Sequence, residues 1–203
     1  MHMALGDMSA IKERNKEVIK RKINVINNAK AIIMDPSLPL ESLQELIDIC
    51  KDRIPIFVDP ISDNYAKKIK DFVGGIYCLK PNKSELESIV DKTINNNEEL
   101  EEACLLLLNK GLKKIFVSLG KDGLLYMYNK GNKIYRKFKP VEKMVNASGA
   151  GDALFASIIY GHVYNYDIDE IIDYGLAAGL SAIITKNTIN ENLSIEYLKK
   201  IIE

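Results

Sequence analysis

The sequence has 203 residues, 47% hydrophobic and 28% charged, with 28 Lys and Arg balanced by 28 Asp and Glu. That length and apolar content suffice for a packed core and exclude a disordered chain, while zero net charge excludes the basic footprint needed to bind a nucleic-acid backbone. Cys50, Cys78 and Cys104 are odd in number and set among apolar neighbours, which predicts buried reduced thiols and a cytoplasmic protein; apolar runs such as CLLLL at 104–108 fall far short of a membrane span, and the N-terminus has no signal-peptide core.

The apolar spacing alternates along the chain between helical and strand periods, the pattern of a single layered α/β domain over residues 1–203 with a mostly parallel sheet. MHMALGDM at 1–8 reads as a strand. Residues 11–28 carry Ile11, Val18, Ile19, Ile23, Val25 and Ile26 among charges and predict one amphipathic helix. AIIMDP at 31–36 predicts a buried strand halted by Pro36, followed by a helix from about Pro39 with Leu43, Leu46 and Ile47 on one face. IPIFVDP then gives a second strand stopped by Pro60, DNYAKKIKDFV a helix and IYCLKP a third strand. NKSELESIV and EELEEACLLLLNKG read as helices, with NNN at 95–97 as the loop between them, and KKIFVSLG as a fourth strand. After Gly120 the texture changes: GLLYMYN and KIYRKFKP alternate around a turn at 129–132 and predict an antiparallel hairpin. Helices follow over 149–164, about 167–186 and 194–202, the last capped by Ser194.

The run VNASGAGDALFAS at 145–157 places Gly149, Ala150, Gly151 and Asp152 at the start of a helix. It spells neither a Walker loop, which needs G-x-x-x-x-G-K-[ST], nor the dinucleotide fingerprint, whose third Gly is replaced by Leu154. Small residues at a helix entrance leave backbone N–H groups open to an anion, with the helix dipole behind them. Asp152 has two readings: an acid satisfying free N–H groups of the first turn, or a carboxylate that takes the proton of an attacking hydroxyl while the loop holds the transferring negative charge. Asn82 and Glu85, three apart after Pro81, form either a capping box or a pair that orders magnesium-bound water and a nucleotide phosphate. Ser118, Gly120 and Gly123 follow the fourth strand, at a simple turn or where adenine or ribose approaches the backbone. His2 and His162 lack Cys or acids at ligand spacing, and Tyr160, Tyr164 and Tyr166 read as ordinary packing.

NASGAGDALFASIIYG resembles the second signature of the ribokinase or PfkB family of carbohydrate and nucleoside kinases. VDPIS at 58–62, LKPNKSELE at 79–87 and VSLGKDGLLY at 117–126 resemble further family segments in the family's order. The resemblance implies a ribokinase-like three-layer α/β/α fold and ATP-dependent transfer of a phosphoryl group to a sugar or nucleoside hydroxyl. It implies Asp152 as catalytic base, Gly149, Ala150 and Gly151 as anion hole, and Asn82, Glu85, Ser118, Gly120 and Gly123 as nucleotide contacts, with Mg2+ held near Glu85 through water. The family commonly has Asp at the position of Asn146, where with the residue at Ser148 it holds a monovalent cation. An Asn offers only a neutral carbonyl oxygen there, so a weakened cation site at Asn146 and Ser148 is expected.

Within the family the set looks most like the bacterial pseudouridine kinase subgroup. The N-terminal portion that in this family supplies the sugar-binding glycines and the β lid has no counterpart before Met1. This leaves a second expectation, a non-catalytic nucleotide-binding remnant that acts through association, and an exposed sheet edge able to pair with another copy.

Overall fold

The structure, a computed structural model, describes residues 9–137, 145 and 148–203. The expected strand at 1–8 and the end of the predicted hairpin at 138–140 lie outside the described residues. The chain packs as two compact units, Met1–Ile115 with Tyr128–Gly131 and Phe116–Met127 with Asn132–Glu203. No helix among the described residues is long and apolar enough to cross a membrane.

The first unit opens differently from the single helix predicted over 11–28. Three short helices stand there instead: α1 (Ser9–Lys12), α2 (Lys16–Arg21) and α3 (Ile23–Asn27). The apolar period misses what breaks it. Asn15 turns its side-chain oxygen onto the N–H groups of Glu17 and Val18, at 3.1 and 3.4 Å, and so starts a new helix inside the pattern.

Beyond α3 the chain alternates as expected through β1 (Ile32–Met34), α4 (Leu40–Cys50), β2 (Ile56–Val58), α5 (Asp63–Ile69), β3 (Cys78–Leu79), α6 (Lys83–Val90), α7 (Asn97–Asn109) and β4 (Lys114–Ser118). α4 buries Leu43, Leu46, Ile47 and Cys50, the i, i+3, i+4, i+7 face of one helix. β2 is buried along its whole length, as a parallel strand covered on both faces should be. β1–β2, β2–β3 and β3–β4 are parallel pairs. All three cysteines are buried and unpaired, and burial pushes the Cys78 and Cys104 thiols up to about 12.

Register decides what the strand ends present. Met34 lies opposite Val58, and Val58 opposite Leu79. The next residues, Asp35, Asp59 and Lys80, therefore leave the sheet at one level, and each is followed at once by a proline that ends the strand.

The second unit takes β4 onward into β5 (Leu124–Tyr128) and β6 (Asn132–Arg136), which continue the strand order β1-β2-β3-β4-β5-β6 as antiparallel neighbours. α8 (Ala150–Val163), α9 (Ile168–Ile183) and α10 (Ile195–Ile202) follow. α8 and α9 approach closely because Gly161 and Gly175 carry no side chain: a Cβ would stand 2.5 Å from Ile171 Cγ1 at the first and 2.7 Å from Leu154 Cδ1 at the second. Asp167 and Glu170 form a capping box on α9, and Arg136 at the end of β6 pairs with Asp169 and, at 2.9 Å, with Asp173. Ser194 caps α10 as expected, accepting from the Tyr197 N–H at 3.1 Å.

Candidate active site

In the first unit the polar groups collect at the C-terminal ends of the parallel strands, where α/β sheets hold their ligands. Lys80 is only 4% exposed, and its ammonium lies 2.9 Å from Asp59 Oδ2. The other Asp59 oxygen accepts from the Ile61 N–H at 3.2 Å. The Ser62 N–H bonds the Pro60 carbonyl at 2.7 Å across Ile61, whose φ is +67°. That is a γ-turn of the strained hand, built on a β-branched residue that avoids positive φ, at a cost on the order of 1–3 kcal/mol. Nothing in the pattern of residues marks this turn, since glycine is its usual signal.

Asn82 and Glu85 meet as a complete capping box at the start of α6. The Asn82 side chain accepts from the Glu85 N–H at 2.9 Å, and Glu85 Oε2 accepts from the Asn82 N–H at 2.8 Å. The box occupies one Glu85 oxygen; among the described residues no hydrogen bond takes Oε1. Glu85 is only 5% exposed. Burial first, then the charges of Asp59 and Asp63, push its carboxyl up against the opposing pull of Asn82 and Lys80. Asp63 itself accepts from Ser84 Oγ at 2.8 Å. The motifs in the sequence assign no role to Lys80 and Asp59. The available signal was their matching place, one residue before a proline on adjacent strands.

The elevated Glu85 carboxyl fixes a pH dependence. Its neutral form suits the folded state, so the stability it contributes is complete below the ordinary value of 4.5 and is lost as pH rises through the higher folded value. Gln resembles the neutral acid and still closes a capping box. Glu85→Gln is therefore expected to match or exceed the parent in thermal stability at pH 7, with the gap closing below about pH 4.5; paired melts at the two pH values measure it.

In the second unit α8 begins at Gly149, whose φ is +84°. A Cβ there would sit 2.2 Å from the Thr188 carbonyl oxygen, so both the turn and the neighbouring backbone demand glycine. The first i→i−4 bond runs from the Ala153 N–H to the Gly149 carbonyl at 2.9 Å, which leaves the amides of Ala150, Gly151 and Asp152 ahead of the helix ladder. Gly149 provides no side-chain cap. Asp152 is exposed, and among the described residues neither hydrogen bond nor ion pair ties its carboxylate. Gly149→Ala is expected to cost at least about 1–2 kcal/mol from the left-handed backbone alone, read as a lower denaturation midpoint.

Ser118, Gly120 and Gly123 frame a short 3-10 turn closed by the Leu119 N–H on the Gly123 carbonyl at 2.9 Å. The two glycines differ. A Cβ on Gly123 would meet the Arg136 carbonyl oxygen at 2.1 Å, so this glycine makes room for β6, whereas one on Gly120 meets nothing within 4 Å. Ser148 is exposed beside Gly149, and Asn146 lies outside the described residues. Asn82 and Glu85 thus stand together in one unit, and Ser118, Gly120, Gly123 and Gly149–Asp152 in the other.

Over 204 residues the chain is 26% identical to a pseudouridine kinase of Escherichia coli (strain K12), matching the whole of this chain and 64% of that protein. A solved structure of a candidate sugar kinase from Clostridium perfringens superposes with a TM-score of 0.87 at 28% identity, covering 100% of this chain and 63% of that one. Arabidopsis thaliana ribokinase, solved with ribose and ATP, shares the fold at TM-score 0.77 and 19% identity over 90% of this chain and 59% of its own. The chain thus spans less than two thirds of the length of these relatives. The sequence profile described as the pfkB family carbohydrate kinases matches residues 3–195, which takes in both the Asn82–Glu85 turn and the Gly149–Asp152 loop, and the chain belongs to that family.

Proposed function

We propose that this chain carries the nucleotide-binding and catalytic residues of an ATP-dependent phosphotransferase acting on a hydroxyl of a sugar or nucleoside. The observation that carries the reading is the α8 entrance: three amides ahead of the helix ladder beside a carboxylate without a partner among the described residues. The cap position is Gly149, and Asp152 lies inside the first turn, bonded to none of those amides among the described residues. Asp152 can accept the proton of an attacking hydroxyl while the amides of Ala150, Gly151 and Asp152 hold charge on the transferring phosphoryl oxygens. Gly120 offers open space on the side where a nucleotide would approach, with Ser118 at the preceding strand end.

Among the described residues no three acids come together to bind an ion directly, so magnesium would be held through water, and the penalty of burying the Glu85 carboxylate is one that a nearby cation relieves. Glu85 would hold the ion through water next to Asn82. The finer reading of the acceptor, supported by the pseudouridine kinase relative, is a hydroxyl of pseudouridine.

The test incubates the chain with Mg-ATP and a panel of pentoses and nucleosides that includes pseudouridine, following ADP release and the phosphorylated product. Transfer to one acceptor class is expected. Mg-ATP binding with no transfer to any acceptor would leave the nucleotide-binding remnant, and absence of Mg-ATP binding would overturn both readings.

A further inference from the structure

One face of α8 carries Ala153, Ala156, Ser157 and Tyr160, at the spacing that lines up a helix stripe. Ala153 packs toward Ala177, Ala178 and Leu198, and the stripe as a whole borders a half-open cavity of about 260 Å³ lined also by Ile171 and Tyr174 of α9 and by Leu193, Ser194 and Leu198 around the start of α10. Three aromatic rings edge it without a gap in the series. Tyr160 and Tyr166 meet edge-on with centroids 6.0 Å apart, and Tyr166 and Tyr174 lie 5.6 Å apart. Tyr164 backs Tyr160 from outside at 4.4 Å.

We propose that this cavity is a second ligand site, for an uncharged two-ring heteroaromatic molecule of purine type. Charge decides part of this. No lining residue is charged, so an ionised ligand would lose its hydration without an opposite partner. The Tyr160 phenol is itself held above its ordinary range, by desolvation first and then by Tyr166 and Tyr164. Size decides more. An apolar cavity of about 150 Å³ accepts one benzene ring, and the volume here accommodates two fused rings.

The lining also discriminates between ring and chain ligands. Tyrosine rings let a planar base stack, an attraction that a flexible aliphatic chain does not obtain. The hydroxyls of Ser157 and Ser194 supply neutral hydrogen-bonding groups for ring nitrogens; the Ser194 oxygen already accepts from Tyr197, so its O–H remains to donate. A mainly apolar pocket with a few convergent polar groups is the usual form of a small-molecule site. None of this uses Asp152 or the α8 entrance as a ligand contact, so the site stands or falls apart from the kinase reading.

The probe is adenosine, titrated into the isotopically labelled chain with Mg-ATP present at saturation. Saturable amide shifts are expected at Gly161, Tyr166 and Ser194. Affinity should fall at least tenfold in Ala156→Leu, which fills the cavity from an exposed helix position, and at least fivefold in Tyr166→Leu, which removes one ring. AMP, carrying the charge that the lining cannot match, should bind more weakly than adenosine. Unmoved amides at those residues, full retention of affinity in the folded variants, or shifts that appear only when Mg-ATP is left out would overturn the proposal. The last of these would put adenosine in the nucleotide site.

Discussion

Asp152→Asn is expected to slow phosphoryl transfer by about 10²–10⁴-fold, the range that a positioned general base contributes. Mg-ATP affinity should stay within about twofold, because proton acceptance and nucleotide positioning are separate tasks. Asn keeps the size of the side chain and its place in the first turn of α8, while the group that would accept the proton is gone. Since no hydrogen bond or ion pair ties the carboxylate among the described residues, its replacement leaves no stranded partner among them. Thermal stability should therefore change little. Steady-state kinetics beside calorimetric titration of Mg-ATP separate the quantities. Undiminished turnover would remove Asp152 from the chemistry, and loss of Mg-ATP binding would make it a nucleotide contact instead.

Lys80→Met is expected to cost the fold about 3–5 kcal/mol, as removal of one partner from a buried ion pair does. The ammonium side chain is only 5% exposed, and the Asp59 side chain facing it 19%. Methionine retains most of the stem but leaves the Asp59 carboxylate poorly solvated, beside a Glu85 carboxyl that its charge already pushes up. At this chain length such a loss lowers the melting temperature by roughly 6–20 °C. The double variant with Asp59→Asn should recover part of it, because the stranded charge rather than the lost contact dominates the penalty. Calorimetric melts of the two single variants and the double variant measure this coupling. A Lys80→Met melt within about 2 °C of the parent would mean that solvent reaches the pair far more freely than its burial indicates.

Much of this architecture can be read from the chain because its strands announce themselves. AIIMDP, IPIFVDP and IYCLKP each join a short apolar run to a proline that forbids further pairing, and β1, β2 and β3 stop where those prolines demand. The helix expected over 11–28 fails for an equally local reason, the Asn15 side chain competing for backbone donors, which an apolar period cannot register. Asn82 and Glu85 show a different limit. Their spacing serves a cap and a ligand equally, and the structure realises the cap while leaving a buried, elevated carboxyl behind it.

Lys80 and Asp59 lie 21 positions apart in the chain and meet only through the β2–β3 register, a relation that no motif contains. The three tyrosines at 160, 164 and 166 read as ordinary packing. The rings do pack on one another, yet Tyr160 and Tyr166 also border a cavity that depends on α10 returning to the far side. At Gly149 the sequence anticipated a sharp turn. Its second cause, the Thr188 carbonyl pressed against the position of a Cβ, comes from a segment 39 residues later.

The claim that most of this depends on is that the backbone at the mouth of α8 receives a phosphoryl group. Amide spectra of the labelled chain titrated with Mg-ATP, or with a non-hydrolysable analogue, address it directly. Saturable downfield shifts of the Ala150, Gly151 and Asp152 amides are predicted, in the parent and in Asp152→Asn alike. Saturation of the chain by Mg-nucleotide with those three amides unmoved would contradict the account.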